Sequence, residues 1–166
     1  MNFSQDQLDA IDGICDTLQL HLISYTHKIA VLTGSAGTGK TTVIGEIIER
    51  AKDINDMIPI ALCASTHRAA RVLADTIVLI GKDQTTTAHK LFKLRPTVNA
   101  SGKELITSSG TCKIKPGSLV IIDEASMIGN SFLKAIVDIV KKKNLKLLFV
   151  GDPFQLPPVS DKCSIF

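Results

Sequence analysis

The sequence predicts an α/β fold in which a parallel sheet lies between two layers of helices. Four short apolar runs alternate along the chain with segments whose apolar residues recur at helical spacing. Runs that are apolar throughout are typical of strands buried on both faces, as in parallel sheets covered by helices. The 166 residues suit one domain, and 45% hydrophobic with 21% charged residues is an ordinary globular balance.

The elements are predicted in the following order. Strands are expected at 29–33, 58–65, 118–123 and 146–151, and helices at 4–20, 40–52, 67–80, 87–93 and 130–142. In the first helix, Ser4 is the expected cap and Gln7 the other half of a capping box. Apolar spacing assigns the inward-facing residues of three later helices: Val43, Ile44, Ile47, Ile48 and Ala51; Ala69, Val72, Leu73, Ile77 and Ile80; Leu133, Ile136, Val137 and Val140.

Residues 95–117 interrupt this alternation, because they are polar and rich in turn formers. The segments KELIT and TCKIK flank Ser108-Ser109-Gly110, which predicts a small β-hairpin inserted into the main fold. Three lysines, Lys103, Lys113 and Lys115, make it basic. The lysines at 141–143 and Lys146 are expected to form a solvated helix end.

Composition limits the classes of function. The net charge of +3 permits a polyanionic partner without requiring one, and 4% aromatic residues argue against a surface built on base stacking. Four scattered cysteines, Cys15, Cys63, Cys112 and Cys163, form no CxxC pair and indicate reduced thiols in a cytoplasmic protein. Neither a membrane-spanning run nor a signal peptide is apparent, so no membrane partner is expected.

The stretch IAVLTGSAGTGKTT at 29–42 carries the clearest chemistry, because it fits the spacing GxxxxGK[ST] between a strand and a helix. Glycines let successive backbone N–H groups turn inward toward a phosphate, and the helix dipole adds positive charge. Lys40 would reach the β- and γ-phosphates, and the Thr41 hydroxyl would ligate Mg²⁺. The predicted loop residues are Gly34, Ser35, Ala36, Gly37, Thr38, Gly39, Lys40, Thr41 and Thr42.

Two further strand ends complete a predicted ATP–Mg²⁺ site. Asp123 and Glu124 end the strand SLVIID, where a first carboxylate holds Mg²⁺ and a second orients or deprotonates the attacking water. Gln155 follows the last strand, where an amide can contact a γ-phosphate as donor and acceptor. On the residues alone, a proline-stiffened turn with a solvated glutamine remains the simpler interpretation of the string GDPFQLPPV.

Taken together, these motifs resemble those of superfamily 1 helicases, and more narrowly the RecD-like and Dda-like branch, which moves 5′ to 3′ on single-stranded DNA. The resemblance covers nearly the whole chain and lies within the first RecA-like motor domain. FSQDQLDAI resembles the family's Q motif, GSAGTGKTT motif I, CASTHRAAR motif Ia, IIDEAS motif II and VGDPFQLPPV motif III. The DEAS and GDxxQLPPV strings together are specific to such motors.

The resemblance implies roles that spacing alone does not give. Gln7 would lie against adenine, although its amide could instead only close the capping box. Contacts with single-stranded DNA are implied for Ser65, Thr66, His67, Thr87 and His89. A helix cap by Thr66 and a half-buried His89 remain the plainer alternatives for two of these. The 95–117 hairpin sits where this branch carries a pin that splits the duplex.

Helicases of this branch also have a second RecA-like domain that supplies arginines to the γ-phosphate, so we expect residues 1–166 to be the first motor domain of a larger protein. Alone, it should bind ATP–Mg²⁺ weakly and hydrolyse it poorly, since an arginine finger is worth about 10³ to 10⁵ in rate. Replication or repair proteins are possible partners. The alternatives are another P-loop ATPase, a nucleotide kinase, or a nucleotide-dependent DNA-binding module without unwinding activity.

Overall fold

A computed structural model describes residues 3–20, 26–77, 85–100 and 104–155. The helices are α1 Gln5–Thr17, α2 Lys40–Ile54, α3 His67–Thr76, α4 Ala88–Phe92 and α5 Asn130–Lys143. The strands are β1 Lys28–Thr33, β2 Ile60–Ala64, β3 Thr85–Thr87, β4 Leu94–Val98, β5 Glu104–Ser108, β6 Leu119–Asp123 and β7 Lys146–Gly151, and a 3₁₀ turn spans Ala125–Met127. No helix in these ranges combines the length and the apolar character needed to cross a bilayer.

Five strands form one sheet in the order β1-β7-β6-β2-β3, and every pairing within it is parallel. The predicted α/β class is therefore confirmed. The registers place Thr33 beside Gly151 and Ala64 beside Asp123, so the carboxyl ends of the strands meet along one edge. Three of these ends carry the sequence motifs that predicted a nucleotide site.

The core lies on both faces of this sheet, as continuous apolar strands require. Along β6, Leu119 and Ile121 pack into the cluster that contains α1 and α2, whereas Val120 and Ile122 pack into the cluster that contains α4 and α5. All five residues predicted for the inner face of α2 are buried. The capping box of α1 is also confirmed, because Ser4 and Gln7 exchange both hydrogen bonds.

A hairpin forms where one was predicted, and the segment KELIT supplies one of its strands, but the other predicted strand, TCKIK, is wrong. Residues 104–108 pair antiparallel with Leu94–Val98, not with the segment TCKIK, which has no regular secondary structure. Pro96 lies in β4 opposite Ile106. A proline is tolerated there because a two-stranded sheet has only edge strands, on which one side of the backbone needs no partner.

Three other sequence predictions need correction. Val72 was expected to face the core but is 59% exposed, and α3 ends at Thr76; Ile80, predicted to continue that helix, lies outside the described residues. Lys146 is only 2% exposed rather than solvated, and its Nζ donates to the Gln19 carbonyl at 2.7 Å. Burial lowers the pKa of Lys146. Of the inward residues expected in α5, Ile136 and Val140 are buried, whereas Leu133 and Val137 are only partly so.

Candidate functional site

The loop between β1 and α2 has the backbone that its glycines predict. Gly37 and Gly39 adopt left-handed conformations, with φ of 80° and 79°. A Cβ on Gly34 would lie 2.7 Å from Thr38 Oγ1, so the loop curls too tightly there for a side chain. The Thr38 hydroxyl and backbone N–H both donate to the Ser35 carbonyl. These two bonds close a compact turn within the loop.

Lys40 lies at the start of α2 and points back into the loop. Its Nζ donates to the carbonyls of Gly34 at 2.6 Å and Ser35 at 2.9 Å. These bonds keep the ammonium where loop amides and the positive pole of α2 converge, which suits an anion.

Gln7 braces the same loop from α1. Its Oε1 accepts from the Ser4 N–H at 3.0 Å, and its Nε2 donates to the Thr38 carbonyl at 3.1 Å. Gln7 thus closes the capping box and also contacts the loop. A cavity of about 380 Å³ lies beside Gln7, and its lining includes Gly34, Thr38 and Lys40.

The acidic pair lies at the end of β6, and β7 separates β6 from β1 and its loop. Asp123 Oδ1 accepts from the Glu124 N–H at 2.9 Å, and Glu124 has a left-handed φ of 52°. Burial raises the pKa of Asp123, opposed by that hydrogen bond and by the Lys40 charge. Burial and then the Asp123 charge raise the pKa of Glu124, opposed by Arg68 and Lys40.

Gln155 is held in place by its neighbours. Ser126 Oγ donates to Gln155 Oε1 at 3.2 Å, and the Gln155 N–H donates to the Asp152 carbonyl. Asp152 is itself buried and its carboxylate accepts from the Phe154 N–H at 2.9 Å. These contacts orient the Gln155 amide. The rest of the predicted motif III, 156–159, lies outside the described residues.

One cavity of about 310 Å³ brings these groups together at the carboxyl edge of the sheet. It is lined by Ala36, Lys40, Thr41, Thr66, Arg68, Ala69, Val72, Asp123, Glu124, Gly151, Asp152 and Gln155. Thr42 is exposed one position further along α2 and lines neither this cavity nor the one beside Gln7. Ser35, Gly37 and Gly39 contribute loop backbone rather than cavity walls.

The donor set fits a magnesium-bound triphosphate. Mg²⁺ takes oxygen ligands, and the Thr41 hydroxyl and the Asp123 carboxylate line the same cavity. A cation beside Asp123 would offset the burial that raises the pKa of that carboxyl. Among the described residues no cluster of three His, Cys, Asp or Glu side chains forms a metal site by itself. A divalent ion here would therefore depend on the nucleotide for further ligands.

Arg68 and Asp152 belong to the cavity, although the sequence did not single out Arg68. Arg68 lies in the first turn of α3, four residues before Val72, so both side chains share one helix face. The sequence contained a signal for Arg68, because it lies in the first turn of a helix that follows β2, and the carboxyl end of β2 is at the site.

The predicted DNA contacts lie at the ends of β2 and β3, which are paired neighbours. Thr66 caps α3 by accepting from the Ala69 N–H, and Thr87, only 6% exposed, caps α4 by accepting from the Lys90 N–H. His89 stacks on Phe132 with ring centroids 4.0 Å apart. His67 is exposed, and the buried Ser65 hydroxyl has no hydrogen-bond partner within the described ranges.

Comparison with known proteins adds independent information. Residues 19–161 match the family described as AAA domain. The chain is 33% identical over 150 residues to the uncharacterized protein R530 of Acanthamoeba polyphaga mimivirus, covering 82% of this chain and 30% of that protein. It is 32% identical over 133 residues to the ATP-dependent RecD2 DNA helicase of Deinococcus radiodurans, covering 80% and 16%.

A third relative is the ATP-dependent DNA helicase Pif1 of a Psychrobacter species, which is 32% identical over 152 residues, covering 82% of this chain and 21% of that protein. These names confirm the resemblance to RecD-like superfamily 1 helicases that the motifs predicted. The chain spans less than a third of the length of each of these three relatives.

Proposed function

The chain belongs to the AAA domain family, and from that premise we propose that it is the ATP-hydrolysing motor domain of a DNA helicase that moves 5′ to 3′ on single-stranded DNA. The observation that carries the proposal is the single cavity in which Lys40, Asp123, Glu124 and Gln155 meet. A generic nucleotide-binding protein needs the loop and its lysine. Hydrolysis coupled to movement also needs a base and a γ-phosphate contact.

In this proposal each residue has a separate task. Lys40 neutralises the β- and γ-phosphates, and the loop amides bind their oxygens. Thr41 and Asp123 would hold Mg²⁺, which supplies charge neutralisation when bound. Glu124 accepts the proton of the attacking water, and its raised pKa increases its affinity for that proton. Gln155, which accepts a hydrogen bond from Ser126, contacts the γ-phosphate.

The proposed path of single-stranded DNA crosses the ends of β2 and β3. Ser65, Thr66 and His67 follow β2, while Thr87 and His89 lie where β3 passes into α4. The N–H groups at the start of α3 suit a backbone phosphate. Thr66 also lines the nucleotide cavity, so the same short segment could connect DNA binding with nucleotide state.

A second RecA-like domain is proposed to cover the cavity and supply arginines to the γ-phosphate. Exposed apolar side chains support this, since Val72, which lines the cavity, is 59% exposed and Phe154, between the lining residues Asp152 and Gln155, is 87% exposed. Exposed apolar groups around a polar cleft are typical of a surface that another domain covers. Replication or repair proteins are the proposed partners of the complete motor, and the cytoplasm is its proposed location.

ATP hydrolysis by the 166-residue chain, measured with and without single-stranded DNA, tests this proposal. We expect slow hydrolysis that DNA stimulates, because the base is present. Glu124→Gln should leave affinity for a fluorescent ATP analogue unchanged and reduce hydrolysis by about 10² to 10⁴. Glu49→Gln, on the exposed side of α2, is the matched control. Equal hydrolysis by both variants would remove Glu124 from the role of base.

A further inference from the structure

A groove of about 700 Å³ lies at the opposite edge of the sheet from the nucleotide cavity. Its wall includes Ile60, the first residue of β2, Thr85, the first residue of β3, and Ser118, which precedes β6. The nucleotide cavity is at the carboxyl ends of these same strands. β2 has five residues, so the two sites are about 16 Å apart.

The groove is strongly basic. Five lysines line it: Lys52, Lys90, Lys93, Lys113 and Lys115. None of its described lining residues is acidic, and none is aromatic. The chain as a whole is only +3, so cationic side chains are concentrated here well beyond the average. Such a surface attracts a polyanion.

The groove is built by contacts within the fold rather than by loose side chains. Lys143 Nζ on α5 donates to the Ile114 carbonyl at 2.9 Å, and Ile114 is 7% exposed. Cys112 Sγ contacts the Leu91 carbonyl at 3.9 Å. The segment 112–115 is thereby tied to α4 and α5. Lys113 and Lys115, on either side of the buried Ile114, are exposed.

Neutral side chains add to the lysines. Thr85 and Thr86 both line the groove. A threonine hydroxyl can donate to a phosphate oxygen, as hydroxyl side chains commonly do at nucleic-acid backbones.

We propose that this lysine groove binds the phosphate backbone of duplex DNA. Grooves for single strands usually combine positive charge with aromatic side chains on which bases stack, and the described wall of this groove has none. A duplex presents phosphates outward and keeps its bases stacked, so lysines and hydroxyls suffice. Binding of this kind is independent of base sequence.

The position of α4 connects the groove with the proposed function, on which this inference rests. Thr87 caps α4 and His89 lies within it, and both are proposed contacts of the single strand. Lys90, the next residue, lines the groove. A single strand and the duplex still to be unwound would therefore meet at this five-residue helix.

The test compares two variants of equal charge. Lys90→Ala/Lys113→Ala/Lys115→Ala removes three exposed groove lysines, and Lys134→Ala/Lys141→Ala/Lys142→Ala removes three exposed lysines of α5. Fluorescence anisotropy at several salt concentrations gives their affinities for a labelled blunt duplex and for one of its strands alone. A fluorescent ATP analogue with Mg²⁺ is titrated in parallel.

We expect the groove variant to lose duplex affinity on the order of ten-fold or more, with a salt slope less negative by about 2 to 3. The α5 variant should keep the affinity and slope of the unsubstituted chain. Single-strand affinity and nucleotide affinity should change little in both variants. Polyglutamate of equal charge should compete poorly with the duplex.

Four outcomes would overturn the inference: equal losses in the two variants, an equal loss for the single strand, effective competition by polyglutamate, or an unsubstituted chain that binds nucleotide but no duplex. In the last case the proposed nucleotide site would still stand. An unsubstituted chain that binds duplex through these lysines but no nucleotide would instead contradict the proposed function alone.

Discussion

The two edges of the central sheet are built from the same strands but have opposite characters. At the carboxyl edge, carboxylates, a lysine, an arginine and an amide share one cavity of about 310 Å³. At the amino edge, all the charged side chains along the described wall of the larger groove are positive. Mixed charges in a small space suit chemistry on a ligand, whereas one sign over a wider surface suits binding of an extended polyanion.

Positive φ angles occur at both edges and do not separate them. Near the nucleotide cavity, Gly37, Gly39 and Glu124 have positive φ. In the groove, Lys93 has a φ of 56° as the C-cap of α4, and Gly117, which precedes the groove residue Ser118, has a φ of 75°. Left-handed conformations are uncommon outside glycine, so Glu124, with φ of 52°, is the residue near the nucleotide cavity whose backbone conformation costs free energy.

The largest expected effect is on ATP affinity, when one lysine is removed from each edge in turn. Lys40→Ala should weaken binding of a fluorescent ATP analogue by on the order of 100-fold, because the ammonium lies inside the anion-binding loop. Lys113→Ala at the other edge should leave that affinity unchanged. Similar losses in both variants would mean that ATP responds to overall charge rather than to a site.

A pair of glycine substitutions tests the backbone geometry of the nucleotide loop against that of the helix that follows it. Gly39→Ala should lower the free energy of unfolding by about 1 to 2 kcal/mol, because φ is +79° and the new Cβ would lie 2.7 Å from Gln7 Nε2. Gly45→Ala, within α2, should raise it by about 0.5 to 1 kcal/mol, since nothing lies within 4 Å. Urea unfolding measures both, and changes of the same sign would contradict the account.

The smallest effect concerns stability and pH. Burial raises the pKa of Asp123, so its ionised form opposes folding. The contribution of this carboxyl to the free energy of unfolding is fully present below its unfolded pKa of about 4. It is lost as the pH rises through the higher folded pKa. Asp123→Asn should therefore raise Tm at pH 7, by about 2 to 4 °C for each kcal/mol gained.

The gain from Asp123→Asn should shrink as pH falls toward the unfolded pKa. Asp138→Asn, at an exposed position of α5, should change Tm little at either pH. A lower Tm for Asp123→Asn at pH 7 would mean that the interactions of the carboxylate stabilise the fold by more than its burial costs.

The strands and helices that carry the site could be predicted because their signals are local. The buried face of α2 follows from the spacing of Val43, Ile44, Ile47 and Ile48, and the acidic pair follows from the strand that it ends. Glycines at 34, 37 and 39 indicate the loop without any knowledge of the rest of the chain.

The predictions that were wrong depend on contacts distant in sequence. Lys146 can be buried because its Nζ donates a hydrogen bond to the Gln19 carbonyl, 127 residues away, and no local pattern indicates such a partner. In the hairpin, no strand was predicted at 94–98. β4 forms there, and Pro96 within it is tolerated because an edge strand needs no partner on one side of its backbone. Val72 faces outward since α3 also borders the nucleotide cavity.

A crystal structure of the chain with Mg²⁺ and a nonhydrolysable ATP analogue would test the central claim most directly. The account predicts the triphosphate inside the 34–41 loop, with Lys40 Nζ moved from the Gly34 and Ser35 carbonyls to phosphate oxygens, and Mg²⁺ near Thr41 and Asp123. A triphosphate bound elsewhere, for example among the groove lysines, with Lys40 still on its own loop, would contradict it.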